Sequence, residues 1–250
     1  MSRQVASPED IAITTTGEVA EDEQELVRRQ VASVIHRLAG RCSAARVRLT
    51  AATSPAAAWP AVAQVNAEAG GRDVRAQVGA AFLREAGSQV SARLGEQVAR
   101  LAEPWRPRRW PEPGRRGRLW TSARHPEVVR RKEVRPARCS PDDAALTMDL
   151  LDFDVHLFVD AGSGQDSVVY RVGPTGYRLA RVVSPGPPAT PPRLPLTFQP
   201  HPTPALSLEQ AVHRLTDTEY PFLFYRDATT GRGTVLYHRH DGNYGLLAPR

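Results

Sequence analysis

The C-terminal half of this chain is written twice. With an offset of 67 positions, Ser140 falls on Ser207, Ala144 on Ala211, Asp160-Ala161 on Asp227-Ala228 and Gly164 on Gly231. The same offset carries Val168 onto Val235, Tyr170 onto Tyr237, Tyr177 onto Tyr244 and Leu179 onto Leu246. Polar turn positions and aromatic strand positions recur in one register, which marks a duplicated small module. A module of about 50 residues builds one thin sheet and little core, so it needs a partner surface. Pairing of the modules, within one chain or between two, is therefore expected. The strand positions available for it are Phe153, Val155, Leu157, Val169, Tyr170, Phe222, Phe224, Val235 and Tyr237.

Each copy reads as a lead-in strand, a short helix and a run of strands. Helices are expected over Pro141 to Leu151 and Leu208 to Leu215, and strands over Val155 to Val159, Ser167 to Val172, Phe222 to Arg226 and Thr234 to His238. Ser140 and Ser207 stand where N-caps belong, with Asp142, Asp143 and Glu209 in the first turns. Two breaks flank the copies. Residues 104–127 carry seven Arg against Glu112 and Glu127, among prolines and glycines that deny regular structure, and read as an extended linker. Residues 184–204 are proline-rich and nearly uncharged, a stiff polyproline spacer that would span some 60 Å from roughly 20 residues at about 3.1 Å each. The expected organisation is an N-terminal domain over 9–103, the linker 104–127, a first module over 128–183, the spacer 184–204 and a second module over 205–250.

The N-terminal part has a different rhythm. Ile11 to Thr15 reads as a strand, and an acidic start at Glu21 to Glu25 leads into the helical stripe Val27, Val31, Val34 and Leu38. Ala45, Val47 and Leu49 alternate with Arg46, Arg48 and Thr50, as Ala63, Val65 and Ala67 do with Gln64, Asn66 and Glu68, which is the period of half-buried strands. Gly70-Gly71 then makes a tight hairpin turn before Val74, Ala76 and Val78. A second amphipathic helix runs from about Phe82 to Ala102, with Leu83, Val90, Leu94, Val98 and Leu101 inward. The fold class is α+β: a β-α-β-β-β-α domain followed by two small β-α-β-β-β modules.

Charge narrows the function. The chain carries +6 overall, yet residues 1–25 hold seven acids against Arg3, leaving +12 for the remainder. Lys132 is the one lysine, an Arg preference that a GC-rich genome would give whatever the function. Clustering needs a partner, and Arg106, Arg108, Arg109, Arg115, Arg116 and Arg118 interleave with Trp105, Trp110 and Trp120. Guanidinium binds phosphate bidentately and indole stacks on unpaired bases, so this is the chemistry of an RNA-binding arm. In the first domain Arg28, Arg29, Arg37, Arg46, Arg48, Arg93 and Arg100 are further candidates.

Catalysis is not indicated. Gly162-Ser163-Gly164 lacks the spacing of a nucleophile elbow and falls where Thr230-Gly231 stands in the other copy, so it reads as a hairpin turn. His238, His240 and Asp241 bring no third ligand and read as a solvated edge beside a turn. Cys42 and Cys139 lack neighbours at ligand spacing, and neither a phosphate-cradling loop nor a dinucleotide fingerprint occurs. The chain is read as a non-enzyme with no cofactor and no metal. No apolar run approaches the roughly 20 residues that cross a bilayer, and the start, with Glu9 and Asp10, lacks a signal-peptide shape, so a cytoplasmic location without a membrane partner is expected.

The second copy carries a resemblance. Ser207-Leu-Glu-Gln-Ala-Val, Tyr220-Pro-Phe-Leu-Phe-Tyr-Arg-Asp-Ala-Thr-Thr-Gly and Val235-Leu-Tyr-His-Arg-His-Asp-Gly-Asn-Tyr-Gly-Leu-Leu resemble the C-terminal domain of long-form ribosome hibernation promoting factors, the ribosome-associated inhibitor or sigma-54 modulation family. The first copy is similar through its lead-in Val128-Val-Arg-Arg-Lys-Glu-Val134, and departs where its ending reads Gly173-Pro-Thr-Gly-Tyr-Arg-Leu. Ser91-Ala-Arg-Leu-Gly-Glu-Gln-Val-Ala-Arg100, with the element order around it, resembles that family's N-terminal domain, a double-stranded-RNA-binding-like fold. Two modules in one chain resemble the dormancy-associated actinobacterial members.

The resemblance implies a stress or dormancy factor that binds the 30S subunit and the 70S ribosome. It would meet 16S rRNA in the decoding region with Arg37, Arg93 and Arg100 among its basic positions, and block mRNA and tRNA. RNA, and not DNA, is the expected nucleic acid. Intrachain pairing of the modules would keep the factor on single 70S ribosomes, whereas homodimeric pairing would join two. A general RNA-binding regulator and a structural protein built on paired modules are the alternatives that the residues leave open.

Overall fold

The computed structural model describes residues 11–38, 42–52, 57, 59–101, 126–173, 176–183, 187, 190–218 and 220–250. The linker arginines Arg106 to Arg118 lie outside the described residues. The chain divides into two compact bodies, and its fold is α+β.

The first body is one four-stranded sheet with two helices on one face. Strand β1 (Ala12–Thr16) pairs in parallel with β2 (Cys42–Ala51). Antiparallel β3 (Ala61–Ala69) and β4 (Arg72–Ala80) complete the order β1-β2-β3-β4. Helix α1 (Glu21–Arg37) buries Val27, Val31, Val34 and Ile35, and α2 (Leu83–Arg100) buries Leu83, Val90, Leu94 and Val98. Both stripes meet Val47, Leu49, Ala63, Val65, Val74 and Ala76 in one core. The hairpin between β3 and β4 turns on Gly70 and Gly71, both at positive φ (56° and 75°), as a two-residue turn of this hand requires.

The second body contains both modules, and their strands are not sorted as the sequence suggests. The first module's sheet is built from β6 (Arg138–Cys139), β7 (Val155–Asp160), β8 (Asp166–Val172) and β9 (Gly176–Arg181), with α3 (Pro141–Leu150) after β6. The second repeats this with β11 (Ala205–Leu206), α4 (Leu208–Thr216), β12 (Phe222–Asp227), β13 (Gly233–His238) and β14 (Tyr244–Pro249). Each sheet has a fifth strand. For the second module it is β5 (Val128–Val134), the lead-in to the first, which pairs in parallel with β14. For the first module it is β10 (Leu196–Phe198), from the stretch before the second, which pairs in parallel with β9.

The two modules therefore exchange their lead-in strands. The registers agree: Phe198 stands beside Leu179, and at the same offset Arg131 stands beside Leu246. Two boundaries drawn from the sequence change accordingly. Residues 128–134 belong to the second sheet, and residues 194–199, read as free spacer, are bound to the first. Pro195 donates nothing but its carbonyl accepts from Tyr177 N at 2.9 Å, while Gln199 N donates to Leu179 O at 2.9 Å. An edge strand tolerates proline where the missing N–H would face away from the ladder. Leu194 and Leu196 are buried there, and Asp142 accepts from the Arg193 and Leu194 amides.

Local signals explain the rest of the repeat. Ser207 and Gln210 form a reciprocal capping box at α4, and Ser140 accepts from Asp143 N at α3. Asp160 and Asp227 each cap the turn that follows, accepting from Gly162 N and from Thr229 N and Thr230 N. Gly164 and Gly231 close those turns at the same φ of 70°.

Candidate functional site

Strand alternation gives each module sheet two apolar faces. One face of the second sheet carries Tyr225, Leu236, Tyr244 and Leu246 against Ala211 and Leu215 of α4. The other carries Phe224 and Val235, which cluster with Leu157, Val168, Ala180 and Val182 of the first module. Val134, Val155, Tyr170, Phe222, Tyr237 and Leu247 pack around this cluster. The modules thus lie sheet against sheet. Tyr170 meets Phe222 edge to face, ring centroids 5.3 Å apart. Such an aromatic pair adds about 1 kcal/mol to its area burial.

Seven of the nine positions read as pairing residues are in this cluster or packed on it: Val155, Leu157, Tyr170, Phe222, Phe224, Val235 and Tyr237. Val169 is not, because its neighbour Val168 takes the shared face and period two turns Val169 to the other side, where it is buried. Phe153 precedes β7 and stacks on His156, ring centroids 6.4 Å apart. A polar contact missed by the sequence reading completes the face. Asp166 accepts from Arg232 Nε at 2.7 Å, Arg232 Nη2 at 3.1 Å and Gly233 N at 2.9 Å. This ion pair holds the Arg232 guanidinium above its usual pKa. Nothing at Asp166 or Arg232 repeats across the two copies, so no sequence signal points to them.

The family-like ending Asp241-Gly242-Asn243-Tyr244 acts as an anchor. Arg239 Nη2 lies 2.7 Å from Asp241, Asn243 N donates to Asp241 at 3.1 Å, and Arg239 N to Asn243 O at 2.8 Å. The Arg239 guanidinium and the Asn243 amide hold the Asp241 carboxyl below its ordinary pKa, against the opposing cost of burial. The closed turn then receives the exchanged strand: Asn243 Oδ1 accepts from Glu127 N at 3.3 Å, and Tyr244 N donates to Glu127 O at 2.8 Å. His238, read as part of a solvated edge, is instead buried against the Tyr244 ring, and burial brings its pKa down to about 4. His240 follows the end of β13 and does not share a strand face with it. Among the described residues no group of three His, Cys, Asp or Glu could hold a metal. Burial and the nearby Asp143 and Asp160 push the Cys139 thiol up to about 11, which makes it a poor nucleophile.

The first-domain arginines do not form one surface. Arg46 and Arg48 are exposed on the sheet face away from the helices, opposite Asn66 and Gln64 on β3. Arg28, Arg29 and Arg37 lie on α1, where Glu25 takes the first two at 2.7 and 3.8 Å and Ser33 accepts from the third at 2.9 Å. On α2, Arg100 lies 3.8 Å from Glu96, and Arg93 is paired at 2.5 Å with Asp152, which groups with this body.

Two stretches of the chain, 123–179 and 199–246, match the family model described as the sigma 54 modulation/S30EA ribosomal protein C terminus. The "Dormancy associated translation inhibitor" of Mycobacterium tuberculosis is 42% identical over 248 residues, covering 96% of this chain and 88% of that protein. The chain belongs to the S30EA ribosome hibernation family. The family is a non-enzymatic one, in line with the reading of the sequence. Two solved structures are also similar, a ribosomal subunit interface protein from Coxiella burnetii and the N-terminal domain of Protein Y from Thermus thermophilus. They are 14% and 24% identical, and each covers 36% of this chain and 94% of its own at a TM-score of 0.30.

In this S30EA protein the first matched stretch takes in β5 whole, and the second begins one residue past β10. No described helix is long and apolar enough to cross a membrane.

Proposed function

We propose that this chain inhibits translation under stress or dormancy by binding the small subunit in its decoding region, and that it acts on single 70S ribosomes. The N-terminal body binds 16S rRNA and excludes mRNA and tRNA. Its contacts come from one arginine face, Arg46 and Arg48 on the sheet or Arg29 and Arg37 on α1, with the linker arginines Arg106 to Arg118 adding phosphate contacts. What supports inhibition is the 42% identity to a named translation inhibitor over nearly the whole chain.

The single observation that carries the single-ribosome reading is the exchange of β5 and β10. Each module's apolar face is covered by the other module of the same chain, and each sheet is finished by the other's lead-in strand. Among the described residues, the apolar faces through which a second chain would pair are thus already taken. Sedimentation of 70S ribosomes through sucrose with the purified protein tests this. The protein co-sediments with 70S and with 30S and adds no 100S peak. A robust 100S peak refutes the single-ribosome reading, and failure to pellet with any ribosomal particle at moderate salt refutes ribosome binding altogether.

A further inference from the structure

The offset that relates the modules carries Asp166 onto Gly233, and these two equivalent positions meet across the shared face. A Cβ on Gly233 would stand 2.7 Å from the Asp166 Cβ, and also 2.8 Å from Val182 Cγ2 and 2.9 Å from Phe224 Cε2. In a pair related by a twofold, a residue on the axis faces its own equivalent, so this contact marks the approximate axis of the module pair. At that point the two modules are opposites. The first presents Gln165-Asp166 and the second Arg232-Gly233. The Asp166 side chain is 9% exposed and takes three donors, all from Arg232 and Gly233.

We infer that Asp166, Arg232 and Gly233 form a lock that makes the first module's face fit the second module and refuse a copy of itself. Two first modules would bring two Asp166 side chains together on the axis, in a space that admits one Cβ, with no guanidinium to neutralise them. Two second modules would set Arg232 beside Arg232 over a gap at two glycines, with no acid. Only the unlike pair supplies one carboxylate, one guanidinium and the missing Cβ. The partner for which each face is shaped is therefore the other module of this protein. The inference rests on the pairing of the modules proposed above.

Two full-length variants test it. Arg232→Gln/Gly233→Asp writes Gln-Asp into both modules, and Gln165→Arg/Asp166→Gly writes Arg-Gly into both. Wild type is expected to run as a single chain of 27.4 kDa. Each variant alone loses the lock, and slow hydrogen exchange at the β8 and β13 amides accelerates by about tenfold or more. Co-expressed with different tags, the two variants purify together. The unaltered first module of one then pairs with the unaltered second module of the other, and slow exchange returns to β8 in the first chain and β13 in the second. This rescue separates loss of the lock from simple misfolding. Wild-type protection in either variant alone overturns the inference, as does a co-expressed pair that stays apart and unprotected. A wild-type dimer with the same variant behaviour overturns the single-chain reading and leaves the lock standing.

Discussion

The two modules share a frame and differ in how they hold its centre. In the first, Tyr177 donates to Asp149 at 2.5 Å and Arg171 Nε donates to the same carboxylate at 3.0 Å. The offset carries these three onto Tyr244, Thr216 and His238. There, Thr216 and Tyr244 share one hydroxyl contact at 3.0 Å, and His238 lies edge-on against the Tyr244 ring, centroids 4.9 Å apart. One copy buries an ion pair and the other a neutral set, yet strand order and register are the same. The backbone frame thus depends on the apolar alternation and the capped turns, while the polar centre is free to diverge provided each version satisfies itself.

The largest effect should come from breaking the charged version. The Asp149 and Arg171 side chains are only 11% and 9% exposed, so Asp149→Ala strands a buried guanidinium. A loss of about 3–5 kcal/mol is expected in chemical denaturation, since removal of one partner leaves the other charge uncompensated. An Asp149→Ala loss below that of the matching change in the second module would show that the ion pair is not what holds the first.

The neutral version should instead be sensitive to acid. His238 titrates near 4 in the fold and near 6.5 when exposed. Between those values only the unfolded chain binds the proton, so stability is complete above pH 6.5 and declines as the pH falls toward 4. Discounted for residual hydration, the loss is on the order of 2 kcal/mol. Burial lowers His156 in the first module in the same direction, so His238→Gln reduces the acid slope without abolishing it. A slope unchanged by His238→Gln would contradict the buried neutral imidazole. The smallest effect belongs to Thr216→Val, which removes the hydroxyl contact to Tyr244 at about 1 kcal/mol, measured by thermal unfolding.

Much of this was legible in the sequence because it is written in local chemistry. The stripe Val27, Val31, Val34 marks α1, Gly70-Gly71 marks the hairpin, and Ser207 with Gln210 marks the start of α4. The duplication gave seven of the nine positions on the shared face, and period two misassigned Val169 only because both faces of that sheet are apolar. Strand exchange was not legible. A lead-in strand satisfies the same parallel ladder in either sheet, and the choice is made by tertiary packing that no single segment encodes. The prolines around Leu196 also mask a strand that needs few donors at an edge. His238 looked solvated because a histidine next to Arg239, His240 and Asp241 has polar neighbours in sequence, whereas its neighbour in space is Tyr244.

The central claim is that the modules of one chain are each other's partner. Sedimentation equilibrium of the full-length protein over a wide range of concentration tests it most directly. The account predicts one species of 27.4 kDa throughout, with no rise in mass as the concentration increases. A mass that climbs to twice that value, with module faces paired between chains, would contradict it.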